Sequence, residues 1–239
     1  MQLKRLLVNS VSALFLAACA VSTSALAHAD TITWTNWSSP ATPGAPGSAA
    51  GTAGSITVNY TGQTSGLTNL PSWGPVSTFT GGLVGNAPPH TPTIQLEGGS
   101  PITESITFSS TVVDPIFAIW SLGQVGVPAS FDFSSKNGQS FNLLGGGISN
   151  EFGGSALTST GSVVHGTEGN GLVQFNGAFD SITFTTPNFE NYYAFTVGYD
   201  ATLTGGGTPG SVPEPATVSL FGLGLAALPT VRRSLSRRS

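Results

Sequence analysis

The sequence has almost no cysteine or methionine and few charged residues. Among 239 residues there are one Cys and one Met, and only 8% are charged. The single cysteine, Cys19, lies near the N-terminus, so the rest of the chain has no disulfide, no thiolate metal site and no cysteine nucleophile. Stability must therefore come from burial, and a chain of this length can bury roughly two thirds of its unfolded surface.

Basic residues are nearly absent from the central part of the chain. Between Asp30 and Ser211 there are ten acidic residues and one base, Lys136, which gives a net charge of −9. Nucleic-acid binding depends on Lys and Arg side chains that neutralise phosphates, and anionic membranes attract the same side chains. The sequence therefore predicts no nucleic-acid partner and no stable attraction to an anionic membrane surface.

The N-terminal segment has the features of a secretory signal peptide. Lys4 and Arg5 precede a mostly apolar stretch over residues 6–21, and Ala27 and Ala29 occupy the −3 and −1 positions of a cleavage site before Asp30. This order predicts a signal-peptide helix over residues 1–29 rather than a permanent span, for which the apolar stretch is short. In an alternative interpretation, residues 16–19 form a lipoprotein box and Cys19 is acylated.

The C-terminal segment also has the features of a sorting signal. A Gly-rich linker over residues 204–211 precedes an apolar run over residues 216–231. Between them stand Val212, Pro213, Glu214 and Pro215, and the run is followed by Arg232, Arg233, Arg237 and Arg238. Because positive residues favour the cytoplasmic side, we expect residues 216–231 to form a short transmembrane helix with the Arg tail in the cytoplasm. This helix is too short for a permanent anchor.

The last 28 residues resemble the PEP-CTERM sorting signal of Gram-negative bacteria. The resemblance implies that an exosortase recognises Pro213, Glu214 and Pro215, removes the tail, and passes the protein to the cell surface or the medium. It also implies an association with exopolysaccharide and biofilm. The same tail is sometimes labelled an ice-binding protein C-terminal domain, which describes the tail rather than an activity.

The pattern between residues 30 and 211 predicts an all-β secreted domain. Apolar residues alternate with polar ones and are rich in Ile, Val, Phe, Tyr and Thr, as in antiparallel strands with one wet face. The predicted strands are residues 31–35, 55–60, 93–96, 104–113, 116–121, 129–133, 140–144, 172–175, 180–185 and 192–200. We expect an antiparallel two-sheet sandwich of jelly-roll-like topology, with a barrel as the alternative.

Two local predictions go beyond the strand pattern. Residues 36–54 are mostly Ser, Pro, Ala and Gly, which predicts a flexible loop. Residues 131–133 and 141–143 flank an Asn-Gly pair, which predicts that these two segments form a hairpin.

Few residues suggest a ligand. Trp37 and Trp73 lie in polar, Gly- and Pro-rich stretches, so we expect them to be exposed and able to contact sugar rings. Glu151, Glu168, Asn170 and Asp200 offer oxygen atoms to Ca²⁺, although no EF-hand spacing is present. His165 and Glu168 lack the partners of a zinc site, and no nucleophile elbow accompanies any serine, so no catalytic residue and no other metal site are predicted.

These observations leave three classes of function. The first is a non-catalytic, exosortase-processed protein of the cell surface or extracellular matrix, associated with exopolysaccharide. The second is a carbohydrate-binding module with a defined ligand. The third is a secreted hydrolase, which would need two carboxylates about 5 to 10 Å apart in a cleft.

Overall fold

The computed structural model describes residues 29–38, 41–134 and 139–203, and this part of the chain is all-β. Its only helical element is a single 3-10 turn at Val76–Thr78, and no helix in these ranges is long and apolar enough to cross a membrane. The strands are β1 (Ile32–Trp34), β2 (Asn36–Trp37), β3 (Gly44–Ala53), β4 (Ile56–Thr64), β5 (Gly66–Thr68), β6 (Thr93–Leu96), β7 (Ser100–Val113), β8 (Ile116–Leu122), β9 (Ala129–Asp132), β10 (Phe141–Gly147), β11 (Ser155–Ala156), β12 (Thr158–Thr160), β13 (Val163–Gly166), β14 (Gly169–Phe175), β15 (Ala178–Thr186) and β16 (Tyr193–Asp200).

Several predicted features lie outside the described residues. They are residues 1–28 of the predicted signal peptide, including the lipoprotein cysteine Cys19, the linker over residues 204–211, and the whole C-terminal segment from Val212 through the Arg tail. Those features remain predictions from the sequence.

The strands form two sheets. Sheet I has the order β10-β14-β8-β16-β6-β5, with β1 also paired to β16 and β11 to β14. Sheet II has the order β12-β13-β9-β15-β7-β4-β3-β2. The pairings are antiparallel except for the short β11–β14 contact.

The chain alternates between the two sheets as in a jelly roll. Four adjacent strands of sheet I are β6-β16-β8-β14, and four adjacent strands of sheet II are β7-β15-β9-β13. The chain runs from β6 through β9, and again from β13 through β16, by changing sheet at every step, which gives two Greek keys. The predicted antiparallel sandwich with jelly-roll-like topology is confirmed.

The main core lies between the sheets and is rich in phenylalanine. Phe117 of β8 and Phe195 of β16 stack with ring centroids 4.6 Å apart. Phe131 of β9 meets Phe117 edge-to-face at 5.3 Å, and Phe184 of β15 meets it at 5.6 Å. Aromatic and β-branched residues suit these strands because one face of each pleated strand is buried.

A second apolar cluster covers the outer face of sheet I. Trp73 and Phe79, from the segment between β5 and β6, pack with Trp120 of β8 and with Ile32 and Trp34 of β1. All seven residues of β8 are therefore buried. This explains why β8 reads as a continuous apolar run rather than as an alternating strand.

The prediction of a flexible loop over residues 36–54 is wrong. This stretch contains β2 and β3, and β3 pairs with β4 along most of its length. Ala49 and Ala53 lie in the main core. Small residues are needed because β2 runs close beside β3: a Cβ at Gly51 would lie 2.5 Å from the carbonyl oxygen of Asn36.

The predicted hairpin between residues 131–133 and 141–143 is also wrong. Phe131 of β9 pairs with Val164 in sheet II, whereas Phe141 of β10 pairs with Phe175 in sheet I. The two segments meet through their side chains, since the rings of Phe133 and Phe141 are 5.6 Å apart. Both segments therefore contribute phenyl groups to the same core, but each does so from a different sheet.

Candidate functional site

The two tryptophans predicted to contact sugars are buried. Trp37 is 0% exposed in the main core, and its Nε1 donates a hydrogen bond to Thr196 Oγ1 at 3.1 Å. Trp73 is buried in the second cluster, with its ring perpendicular to that of Phe79 at 5.0 Å. The prediction that they are exposed is wrong, because burying so large an apolar ring outweighs the polar character of its sequence neighbours.

The predicted Ca²⁺ ligands are not brought together as a group. Asp200 pairs with Ile32 at the end of β16, and Glu151 accepts hydrogen bonds from Trp120 Nε1 at 3.0 Å and from the Ser72 N–H at 2.9 Å. Over the described ranges, no three or more His, Cys, Asp or Glu side chains converge on a metal position. Within the predicted set, Glu168 and Asn170 are neighbours, because Asn170 Nδ2 donates to the Glu168 carbonyl.

Asn170 has a structural role at the start of β14. Its Oδ1 accepts the N–H of Ser121 at 2.8 Å. Its Nδ2 donates to the carbonyls of Gly147, Gly153 and Glu168 at 3.2, 3.1 and 2.9 Å. Because both its oxygen and its nitrogen bond the backbone, the amide joins the end of β10 and the turns at Gly153 and Glu168 to the end of β8.

Glu168 is held at the same end of sheet I. Ser121 Oγ donates to Glu168 Oε2 at 2.6 Å, and the Glu168 N–H donates to the carbonyl of Gly123 at 3.0 Å. Ser121 and Glu168 both have left-handed backbones, with φ of 56° and 54°. Such φ values are uncommon outside glycine, and here they belong to two residues joined by a side-chain hydrogen bond.

Glu190 is a buried acid beside Glu168. It is 2% exposed, and its Oε1 accepts the N–H of Tyr192 at 3.0 Å. Its Oε2 is buried and accepts no hydrogen bond from any residue that the structure describes. Burial raises the pKa of Glu190 to about 7; the N–H groups of Tyr192 and Gly123 oppose the rise, and the charge of Glu168 adds to it.

Sequence reasoning missed Glu190 as a site residue. It stands in a polar turn just before β16, where an acid is usually solvated, and no motif marks it. Only the packing of the turn against the end of β8 shows that this carboxyl is buried beside a second one.

A second buried acid, Glu104, lies between the sheets. Its Oε1 accepts a hydrogen bond from Thr186 Oγ1, and its Oε2 contacts the hydroxyl of Tyr60. Burial raises the pKa of Glu104 to about 7, although its hydrogen bonds with Thr186 and Tyr60 oppose the rise. Because Glu104 is 0% exposed, we interpret it as part of the core rather than as a reacting group.

An aromatic edge lies on the outer side of sheet I and consists of Phe152 and Tyr192. Phe152 is 53% exposed, and its ring lies 5.3 Å from that of Trp120. Tyr192 meets the same indole edge-to-face at 5.7 Å and is partly exposed. Phe152 and Tyr192, and not the predicted Trp37 and Trp73, are therefore the exposed aromatic residues at this edge.

Uncharged polar side chains cover the outer face of β3, β4 and β7 in sheet II, and we call this surface the hydroxyl face. It consists of Ser48, Thr52, Thr57, Asn59, Thr61, Ser105 and Thr107. In one cross-strand row Asn59 stands opposite Thr107, and in the next Thr61 stands opposite both Ser48 and Ser105. A shallow depression on this face is lined by Ser48, Asn59 and Thr61 together with Thr42 and the small residues Ala49 and Ala50.

The C-terminal segment decides where the protein is sent. The family model of the PEP-CTERM protein-sorting motif matches residues 211–238. The chain carries a PEP-CTERM sorting motif. This motif marks an exported protein that an exosortase processes, and it directs the protein to the cell surface or the extracellular space.

The PEP-CTERM match covers the tail and does not extend into the β-sandwich. No curated protein matches the chain, and no solved structure matches it. Signal cleavage after Ala29 remains a prediction. The residue that would follow the cut, Asp30, donates its N–H to the Leu83 carbonyl at 2.6 Å.

Proposed function

We propose that this PEP-CTERM protein is a non-catalytic component of the cell surface or biofilm matrix, and that it associates with exopolysaccharide through the hydroxyl face. The observation that carries the proposal is the regular array of Ser, Thr and Asn side chains across β3, β4 and β7. Hydroxyl and amide groups both donate and accept hydrogen bonds, as the hydroxyls of a polysaccharide do.

The geometry of the hydroxyl face suits a long and repetitive ligand. Neighbouring strands in a sheet lie about 4.8 Å apart, so the side chains repeat at short and regular intervals. Each hydrogen bond contributes only about 1 kcal/mol, but many weak contacts along one chain add up when they can form together. No charged group has to be desolvated at Asn59, Thr61 or Thr107, which keeps the cost of contact low.

A non-catalytic role agrees with the environment of the acids that lie closest to the core. Glu104 is enclosed between the sheets, and Glu190 is buried beneath the turn before β16. Neither carboxyl reaches the hydroxyl face or the aromatic edge as a solvated acid that could protonate a glycosidic oxygen.

A carbohydrate-binding module with a defined ligand is the second candidate. The observation that favours it is Phe152, which is 53% exposed although it packs on Trp120. An exposed aromatic face beside the polar side chains of Asn150 and Glu151 can stack on one sugar ring and hydrogen-bond its edge. Such a site would select short, specific saccharides rather than a repetitive polymer.

Binding to exopolysaccharide tests both candidates. The hydroxyl face is altered by the combined substitutions Thr57→Val, Thr61→Val and Thr107→Val, which keep side-chain shape and remove the hydroxyls. Phe152→Ala alters the aromatic edge, and Thr158→Val on β12 is the matched control. Co-sedimentation with exopolysaccharide from the producing cells is the measurement.

We expect the triple variant to bind at least about tenfold more weakly, and Phe152→Ala and Thr158→Val to bind like wild type. Loss of binding in Phe152→Ala alone would favour the defined-ligand module. If wild type does not co-sediment, or if none of the three variants changes the binding, the exopolysaccharide proposal is wrong.

Processing is tested separately by fractionating cells with and without the exosortase. An antibody to an internal epitope should detect a shorter product at the surface or in the medium when the enzyme is present. Without it, the protein should retain its tail and stay with the inner membrane. The same length and location in both strains would contradict exosortase processing.

A further inference from the structure

We propose that Glu168 and Glu190 bind a hydrated calcium ion at the end of sheet I, beside Gly123. This site is independent of exopolysaccharide binding, and it replaces the dispersed set of Ca²⁺ ligands expected from the sequence. Its defining residue, Glu190, was not part of that set.

The first support is the buried carboxylate oxygen of Glu190. Glu190 is 2% exposed, and its Oε2 accepts no hydrogen bond from the described residues. An ionised carboxylate that is buried needs a partner, because removing its charge from water without one is strongly unfavourable. Its neighbour Glu168 is another acid, whose charge makes an ionised Glu190 still less favourable. A bound cation would offset both negative charges.

The second support is the way in which the backbone holds both acids around one residue. The Gly123 carbonyl accepts the Glu168 N–H at 3.0 Å. Strand β8 lies between β14 and β16, with Leu122 paired with Gly169 and Trp120 paired with Ala194, so the residues that precede β14 and β16 flank the end of β8. Ser121 Oγ fixes Glu168 Oε2 at 2.6 Å, and the Tyr192 N–H fixes Glu190 Oε1 at 3.0 Å. Both carboxylates are thus oriented before any ion binds.

The third support is the lack of organic cations in the domain. Lys136 is the only base between residues 30 and 211, against ten acids. A metal cation from the medium is therefore the counter-charge most available to this pair once the protein has been exported.

The ligand number favours calcium with several waters. Two carboxylates supply at most four oxygen atoms, and no third acid or histidine within the described ranges joins them. Ca²⁺ accepts six to eight oxygen ligands in irregular geometry, and extracellular sites with few charges bind it with a Kd of about 10⁻⁴ to 10⁻³ M. Mg²⁺ demands a stricter octahedron and loses its water reluctantly, so it should bind more weakly.

Calorimetric titration of the purified protein with CaCl₂, after removal of metals by a chelator, tests the site. The variants are Glu190→Gln and Glu168→Gln, and the control is Asp180→Asn, which removes an exposed acid from sheet II. We expect about one Ca²⁺ per wild-type chain in the affinity range given above, and at least about tenfold weaker binding in either Gln variant. The control should bind like wild type.

Thermal unfolding with and without CaCl₂ provides a second measurement. Wild type and Asp180→Asn should melt at higher temperature with Ca²⁺, since an ion that binds only the folded state stabilises it by mass action. The proposal is overturned if wild type takes up no Ca²⁺ at roughly ten times the expected Kd, or if Glu190→Gln binds as tightly as wild type. If Glu190→Gln does not fold, unchanged Ca²⁺ binding by Glu168→Gln would overturn the proposal in its place.

Discussion

The hydroxyl of Tyr60, on β4, forms a hydrogen bond with the carboxyl of Glu104, on the neighbouring strand β7. The same Tyr60 oxygen lies 2.6 Å from the carbonyl oxygen of Gln63, which can only accept. One phenolic proton cannot serve both partners. A protonated Glu104 resolves the conflict, because it donates to Tyr60 while Tyr60 donates to Gln63 and Thr186 donates to the other oxygen of Glu104.

Stability should therefore fall as the pH rises from about 4.5 to about 7. Burial raises the pKa of Glu104 from 4.5 to about 7, so the folded state keeps a proton in this window that the unfolded chain has already lost. Proton binding by the folded state stabilises it at the acidic end, and the advantage is gone above the folded-state pKa. For Glu104 the loss is on the order of 3 kcal/mol. Urea unfolding in chelator-containing buffers across this pH range measures it.

Glu104→Gln is the matched control for the pH effect. A glutamine amide can donate to Tyr60 and its oxygen can accept from Thr186, so the hydrogen bonds of the protonated acid are kept at every pH. The variant should lose less stability than wild type as the pH rises, with a residual slope from Glu190, whose pKa is also about 7. Equal slopes in wild type and Glu104→Gln would contradict the protonated state.

Trp37→Ala should destabilise the fold by about 3 to 5 kcal/mol, because it empties a fully buried site. Trp37→Phe keeps most of the apolar volume but removes the hydrogen bond to Thr196, so it should cost less. Phe152→Ala, at the exposed aromatic edge, should cost less than about 1 kcal/mol. Chemical denaturation ranks the three variants; a small effect of Trp37→Ala would mean that this side chain is not part of the core.

Gly154→Ala should be far more harmful than Gly153→Ala. Both glycines have left-handed backbones, but a Cβ at Gly154 would lie 1.8 Å from the Glu168 carbonyl oxygen, whereas one at Gly153 meets nothing within 4 Å. Gly153→Ala should cost about 1 kcal/mol from its backbone alone. Gly154→Ala must in addition displace Glu168, so both its melting temperature and its Ca²⁺ affinity should fall further. Equal melting temperatures for the two variants would contradict the close approach.

The mature N-terminus should be Asp30. Cleavage between Ala29 and Asp30 follows from the small residues at the −3 and −1 positions. Intact-mass spectrometry of the exported protein distinguishes this product from a lipidated one that begins at Cys19. Ala27→Leu together with Ala29→Leu should block cleavage and retain the precursor. A mature chain that carries a diacylglyceryl group would establish the alternative site.

The sequence predicted most of the long strands because alternation is a local signal. β6 begins and ends where the pattern indicated, and the predicted strand over residues 116–121 differs from β8 by one residue. The short strands β11, β12 and β13 were missed because two to four residues carry too little periodicity. β3 was missed because its Gly, Ala and Ser residues have low strand propensity, although neighbouring strands hold it in place.

The sequence alone determines the destination of the protein and the class of its fold. The PEP-CTERM motif is recognised as a linear signal, and the alternating pattern of Phe, Ile, Val and Thr produces strands with one buried face. Three-dimensional packing sets which strands are neighbours, buries Trp37 and Trp73, and brings Glu168 and Glu190 together. The alternating pattern determines which face of a strand is apolar. It does not determine the strand's partner, because paired residues such as Thr107 and Ser181 are far apart in the chain and pair only when the two sheets pack around a common core.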